Sequence, residues 1–227
     1  MKNTWLIADT ETNFSRYIFD IAWSIALRTG KILTSENYLV KEIITDPDCS
    51  KSFYQKKHYS DYIPMLARGD VDLMAWNDIT ALLHSHLFDY DCKAFCAYNA
   101  GFDLSAIRKT ELFLNEEITP CVQEILDYDF LCIQKFMADT TAHTATYSKT
   151  ALANGWVTAK AKLPSLKAEN LYRYVTANPN FEEEHTALED VLIETALLAH
   201  AFRKHSKVPY NQFHHWTDTK KFVEAVA

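Results

Sequence analysis

The chain has 227 residues, 48% of them hydrophobic and 13% aromatic, enough to bury a sizeable core in one large domain or two small ones. Its net charge of −7 excludes a protein that coats long nucleic acid with a broad basic surface, while leaving room for a small footprint such as a chain end. The four glycines (Gly30, Gly69, Gly101, Gly155) spell no P-loop or dinucleotide fingerprint, and no apolar run approaches the length needed to span a bilayer. The first residues enter a strand-like segment without the apolar stretch of a secretory signal, so a cytoplasmic protein away from the membrane is expected.

Residues 4–8 (TWLIA) read as a buried strand ending at Asp9. Residues 19–27 place Phe19, Ile21, Trp23, Ile25 and Leu27 at alternate positions, with Asp20, Ala22, Ser24 and Ala26 between, the period-two pattern of a strand with one apolar face. Arg28-Thr29-Gly30-Lys31 suits a hairpin turn, and residues 32–40 return as a third strand. Residues 46–72, with Pro47, Pro64 and Gly69, read as polar and irregular. Residues 72–88 carry Leu73, Trp76, Ile79, Leu82, Leu83 and Leu87 at helical spacing, and 93–98 (KAFCAY) form a short buried strand. A helix is expected over 104–114 and a fifth strand over 128–133. Residues 139–173 hold five basic residues (Lys149, Lys160, Lys162, Lys167, Arg173) against Asp139 and Glu169, a net +3 in an acidic chain. Pro164 suits a helix start, predicting a helix over 165–175. A long helix follows over 186–204, with Leu188, Val191, Leu192, Thr195, Leu198, Ala199 and Phe202 on its buried side. The ordinary reading of its start is a solvated acidic run in which Asp190 joins Glu182, Glu183, Glu184, Glu189 and Glu194. The order predicts one α/β domain over 1–204 with a mixed five-stranded sheet, followed by a C-terminal extension, 205–227.

The five cysteines (Cys49, Cys92, Cys96, Cys121, Cys132) form no CxxC pair, and their odd number argues for reduced thiols in the core. Cys92 and Cys96 with His84 and His86 match no common zinc spacing.

Three short motifs carry chemistry: Asp9-Thr10-Glu11, Asn99-Ala100-Gly101-Phe102-Asp103 and His185-Thr186-Ala187-Leu188-Glu189-Asp190. Each alone has an ordinary reading, as a chance triplet, a strand-to-helix turn and a solvated helix start. Their value lies in the ordered set. Asp9 and Glu11 are two apart on a strand and so share a face. Asp103 follows a strand expected beside the first, and Asp190 lies one turn into a helix. Carboxylates crowded in this way need cations to stay ionised together, and Mg²⁺ or Mn²⁺ favours such oxygen ligands. Two ions can activate water and offset the charge of a leaving oxygen, while a histidine takes the proton.

On these residues the chain resembles the DEDDh subgroup of DnaQ-like 3′–5′ exonucleases, over about residues 5–202. The spacing from His185 to Asp190 separates that subgroup from its tyrosine-bearing counterpart, and Leu163-Pro164-Ser165-Leu166 is similar to the family's approach to its last motif. The resemblance implies a ribonuclease H-like fold. It implies two divalent ions on Asp9, Glu11, Asp103 and Asp190, with His185 as general base, and release of nucleoside 5′-monophosphates from single-stranded 3′ ends. It places Thr10, Thr12, Asn99 and Phe102 against substrate, with Phe14 as a second aromatic able to stack on a base and core packing the main role for Phe102. Where many relatives read Thr-Thr-Gly after the first motif, this chain has Thr12-Asn13-Phe14, which alters the turn at the terminal sugar. DNA is slightly favoured over RNA; the alternatives are an exoribonuclease, an endonuclease on the same fold and a non-catalytic nucleic-acid-binding module. The motifs do not choose between solitary degradation and work beside a polymerase.

Overall fold

The first three strands pair as an antiparallel meander. In the computed structural model these are β1 (Thr4–Thr12), β2 (Ile18–Leu27) and β3 (Ile32–Val40). The structure describes residues 3–49, 53–159, 163–183 and 185–214, with the backbone alone for 53–59 and 61. After β3 come α1 (Lys41–Thr45), α2 (Phe53–Arg68), β4 (Asp72–Met74), α3 (Trp76–Asp89) and β5 (Cys92–Ala97). They are followed by α4 (Ala100–Asn115), α5 (Pro120–Leu126), β6 (Phe130–Cys132) and α6 (Ile133–Met137), which runs into a π-helical turn over 138–142. The chain closes with α7 (Ala145–Ala153), α8 (Ala168–Thr176) and α9 (Ala187–Lys204).

The sheet is mixed and six-stranded, in the order β4-β3-β2-β1-β5-β6, and helices cover both faces of this single α/β domain. β5 lies beside β1, as expected, and runs parallel to it, with β6 parallel to β5. The strand beyond the expected five is β4: Asp72, Leu73 and Met74 pair in parallel with Tyr38, Leu39 and Val40, so the helix expected from 72 begins only at Trp76.

Burial follows the pleat. Leu6 and Ala8 of β1 pack towards α3 and α4, whereas Trp5 and Ile7 pack towards α6 to α9. β2 departs from the expected single apolar face. All of its residues except Leu27 are buried, including Asp20 and Ser24, because α9 covers the face that alternation had assigned to solvent.

Other expectations fail for identifiable reasons. Residues 46–72 contain α2, which accommodates Pro64 in its interior and buries Tyr62 against the sheet. Pro164 starts no helix; it forms an antiparallel bridge with Val157, and α8 begins at Ala168. On α9, Leu192 is 45% exposed, while Glu194, expected in solvent, is buried. Helix α4 starts at Ala100, inside the second motif, rather than at 104. All five cysteines are free, and the His86 Nδ1 accepts from the Trp23 indole instead of facing a metal.

Candidate active site

The three motifs meet at the end of β1 where it emerges between β2 and β5. Asp9 and Glu11 stand on the α9 side of β1, and α9 begins at the same level because Thr186 caps it, its Oγ1 accepting from the Glu189 amide at 3.4 Å. Asp190 lies on the first turn of that helix. Ligand oxygens of Asp9, Glu11 and Asp190 all lie within 4.8 Å of one another.

Asp103 is placed slightly differently. It is buried on the first turn of α4, and its Oδ1 accepts a 2.8 Å hydrogen bond from Thr10 Oγ1, which ties the first motif to the second. Burial raises Asp9 well above the usual carboxylate range, and the nearby charges of Asp103, Asp190, Glu11 and Asp20 add to it, which puts Asp103 beside the trio.

Burial acts on the other acids as well. Burial pushes Asp103 up to about 7, against the opposing pull of the bond from Thr10. Burial and the hydrogen-bonded Glu183 carboxyl push Asp190 up to about 10. Burial is the main cause at all three positions, with neighbouring carboxylates adding to it at Asp9 and Asp190, so the metal-free site disfavours the charged forms and a bound cation would reverse that preference. The donor set suits a hard divalent ion: every ligand of the trio is a carboxylate oxygen, and Asp190 Oδ1 is buried without a hydrogen-bond partner.

His185 precedes the α9 cap in a left-handed conformation (φ +59°), with about half of its side chain exposed. Its Nδ1 lies 3.4 Å from Glu183, and His185, Glu183 and Asp190 form a second group within 4.8 Å that shares Asp190 with the first. A histidine so placed borders the carboxylates without being sealed behind them.

The remaining predicted residues are distributed around this centre. Thr10 is buried and committed through its hydroxyl to Asp103; Thr12 is half-buried at the end of β1, just past a register shift at Glu11. Asn99 is exposed at the start of α4, with its carbonyl accepting from the Phe102 amide at 2.7 Å. Phe102 is half-buried and belongs to neither large hydrophobic cluster, contrary to the core role expected for it. Asn13 folds the β1–β2 turn back on itself: its Oδ1 accepts from the amides of Ser15 and Tyr17, both at 3.0 Å. That turn holds Phe14 72% exposed at the rim of a groove of about 510 Å³, whose wall includes Tyr17 stacked on Phe113 at 4.1 Å.

Of the basic segment, Lys160 and Lys162 lie outside the described residues, as does Glu184 of the acidic run. Lys149 and Lys167 are exposed. Arg173 is engaged within the protein, with Glu169, Asn170 and the Phe181 carbonyl. From the C-terminal segment, Asn211 pairs with both the amide and the carbonyl of Phe130, and Phe213 stacks on the Phe130 ring beside Gly101. Residues 215–227 lie outside the described residues.

Three acids near the site were not foreseen: Glu183, Glu194 and Asp20. Signals existed for two of them. Asp20 is the only charged residue in a run of nine otherwise apolar or small residues, and Glu194 falls four positions after Asp190 on the same helix face. Among the described residues no helix is long and apolar enough to cross a membrane. No known family model matches this chain, and no curated protein is significantly similar to it.

Proposed function

We propose that this protein is a Mg²⁺- or Mn²⁺-dependent 3′–5′ exonuclease of DEDDh type on a ribonuclease H-like fold, acting on single-stranded 3′ ends. The observation that carries the reading is the convergence of Asp9, Glu11 and Asp190 within 4.8 Å, with Asp103 tied to the first motif through Thr10 and His185 at the rim. The meander β1–β2–β3 with β5 parallel beside β1 supports the fold assignment.

Asp9, Glu11, Asp103 and Asp190 would hold two divalent ions, which when bound supply charge to activate water and offset the leaving oxygen. His185 receives the proton of the attacking water, a role suited to its half-exposed position. The Asn13 turn presents Phe14 to a base near the strand end, where aromatic stacking tolerates every nucleobase. The acidic surroundings confine contact with a polyanion to its terminus.

The test uses matched DNA and RNA oligonucleotides labelled at either end, in Mg²⁺, in Mn²⁺ and in chelator. Stepwise loss of 3′-terminal mononucleotides, abolished by chelator and by Asp9→Asn and reduced at least a hundredfold by His185→Ala, is expected. Full activity in either variant, or cutting of circular substrate, would sink the mechanism; the ratio of rates on the two polymers assigns DNA or RNA.

A further inference from the structure

Two carboxylates that are not among the proposed ion ligands are buried on either side of Asp190. Asp20 on β2 is 0% exposed, and its Oδ2 accepts from the Ala187 amide at 3.1 Å and from the Tyr62 hydroxyl at 2.5 Å. Ala187 is the first residue of α9, so this acid of the sheet satisfies an amide left open at the helix start. Glu194 on α9 is 2% exposed, and its Oε2 accepts from the Tyr98 amide at 3.0 Å. Tyr98 directly follows β5 and leads into the second motif, so this acid of the helix satisfies the end of a strand.

The two contacts are reciprocal. Asp190 lies three residues beyond Ala187 and four before Glu194, within about one helical turn of each. Sliding or rotating α9 would break one contact or the other. Burying a carboxylate costs several kcal/mol, and well-packed apolar residues often serve stability as well or better. Stability alone therefore gives no reason for two such acids here. What they fix is the position of a helix that carries one ion ligand and follows directly from His185.

We infer that Asp20 and Glu194 are positioning residues: through the Ala187 and Tyr98 amides they set α9 against β2 and β5, and so place Asp190 and His185 relative to Asp9, Glu11 and Asp103. The inference rests on the proposed divalent-ion site. The operative element is the hydrogen-bond acceptor at each position.

The experiment measures Mn²⁺ binding by calorimetry and metal-free melting by circular dichroism for the full chain and its Asp20→Ala, Asp20→Asn, Glu194→Ala and Glu194→Gln variants, with Asp9→Asn as reference. Each alanine variant should bind Mn²⁺ about tenfold or more weakly and lose on the order of a hundredfold in kcat. Asn and Gln retain an acceptor oxygen and should restore affinity to within about threefold of the parent, a rescue that loss of buried volume would not require. Should an alanine variant fail to fold, Ala187→Pro removes the Asp20 contact from the donor side, at a helix position where proline is favoured, and should weaken binding similarly. Unchanged affinity in the alanine or proline variants, or amide variants as weak as the alanine ones, would overturn the inference. Absence of Mn²⁺ binding in the parent chain would instead overturn the ion site itself. Binding abolished by Asp9→Asn yet untouched by the positioning variants would leave the site standing and remove only this role.

Discussion

Replacing Asp103 by Asn should make the metal-free protein more stable while removing one ligand of the proposed ion site. Burial pushes the Asp103 carboxyl from the 3.8 of a free aspartate up to about 7. One step in pKa is worth about 1.4 kcal/mol, so ionised Asp103 costs the metal-free fold on the order of 4 kcal/mol at pH 8. The unfolded chain releases this proton above about pH 4 and the folded protein above about pH 7. The cost is therefore absent below pH 4, grows between the two values and is complete above 7. Asn has the same shape and can still accept from the Thr10 hydroxyl. For a domain of this size each kcal/mol shifts the melting midpoint by roughly 2–4 °C, which gives a gain of about 10 °C at pH 8 and about a third of that at pH 5. Melting both proteins in chelator at the two pH values tests this. In Mg²⁺ the order should narrow or reverse, since only the parent gains stability from binding. An Asp103→Asn protein that melts at or below the parent at pH 8, or gains equally at both pH values, would refute the account of a carboxylate held under strain by burial.

Phe14→Ala should leave the melting midpoint within about 1 °C, because the ring is 72% exposed, and raise KM for a single-stranded oligonucleotide by about tenfold with little change in kcat, the size expected for one base stack. Steady-state kinetics at saturating metal would show this, and an unchanged KM would remove Phe14 from the substrate path. Gly30→Ala should destabilise the fold by about 1–3 kcal/mol, measured by urea unfolding. Gly30 has φ +87°, and an added Cβ would sit 2.9 Å from the Ala199 Cβ on α9. A neutral result would mean that the hairpin and α9 separate more easily than their packing indicates.

The parts of the fold legible in the sequence are those set by local periodicity. β1, β2, β3, β5 and α9 all lie where the spacing of apolar residues predicts them, within a few residues at their ends. α2 was hidden because Pro64 and Gly69 signal a break, whereas the helix contains the first and ends before the second. β4 was hidden because three residues give no alternation to read; only their partners on β3 make them a strand. In the site, the convergence of Asp9, Glu11 and Asp190 followed from strand alternation and a capped helix start, both short-range features. Asp20 and Glu194 were visible as odd charges but not as buried ones: a charged residue in an amphipathic pattern is assigned to solvent by default, and only the packing of α9 over the second face of β2 puts both inside. Glu183, half-buried in the loop before α9, left no signal at all. Asn13 lies between the two cases: an altered turn after the first motif was expected, but not that the Asn13 side-chain amide would fold it.

The pairing of Asn211 with Phe130 has a consequence at the margin of the sheet. Both outermost strands, β4 and β6, are only three residues long, and on β6 the free amide and carbonyl of Phe130 are occupied by one asparagine while Phe213 lies over the adjacent ring. A neighbouring chain seeking to extend the sheet finds an edge of only three residues at β4 and, at β6, one whose Phe130 is already paired. Cutting the chain after Lys204 would uncover that margin next to Gly101 of the second motif. The shortened protein would then be expected to self-associate through a sheet edge that the full chain keeps closed.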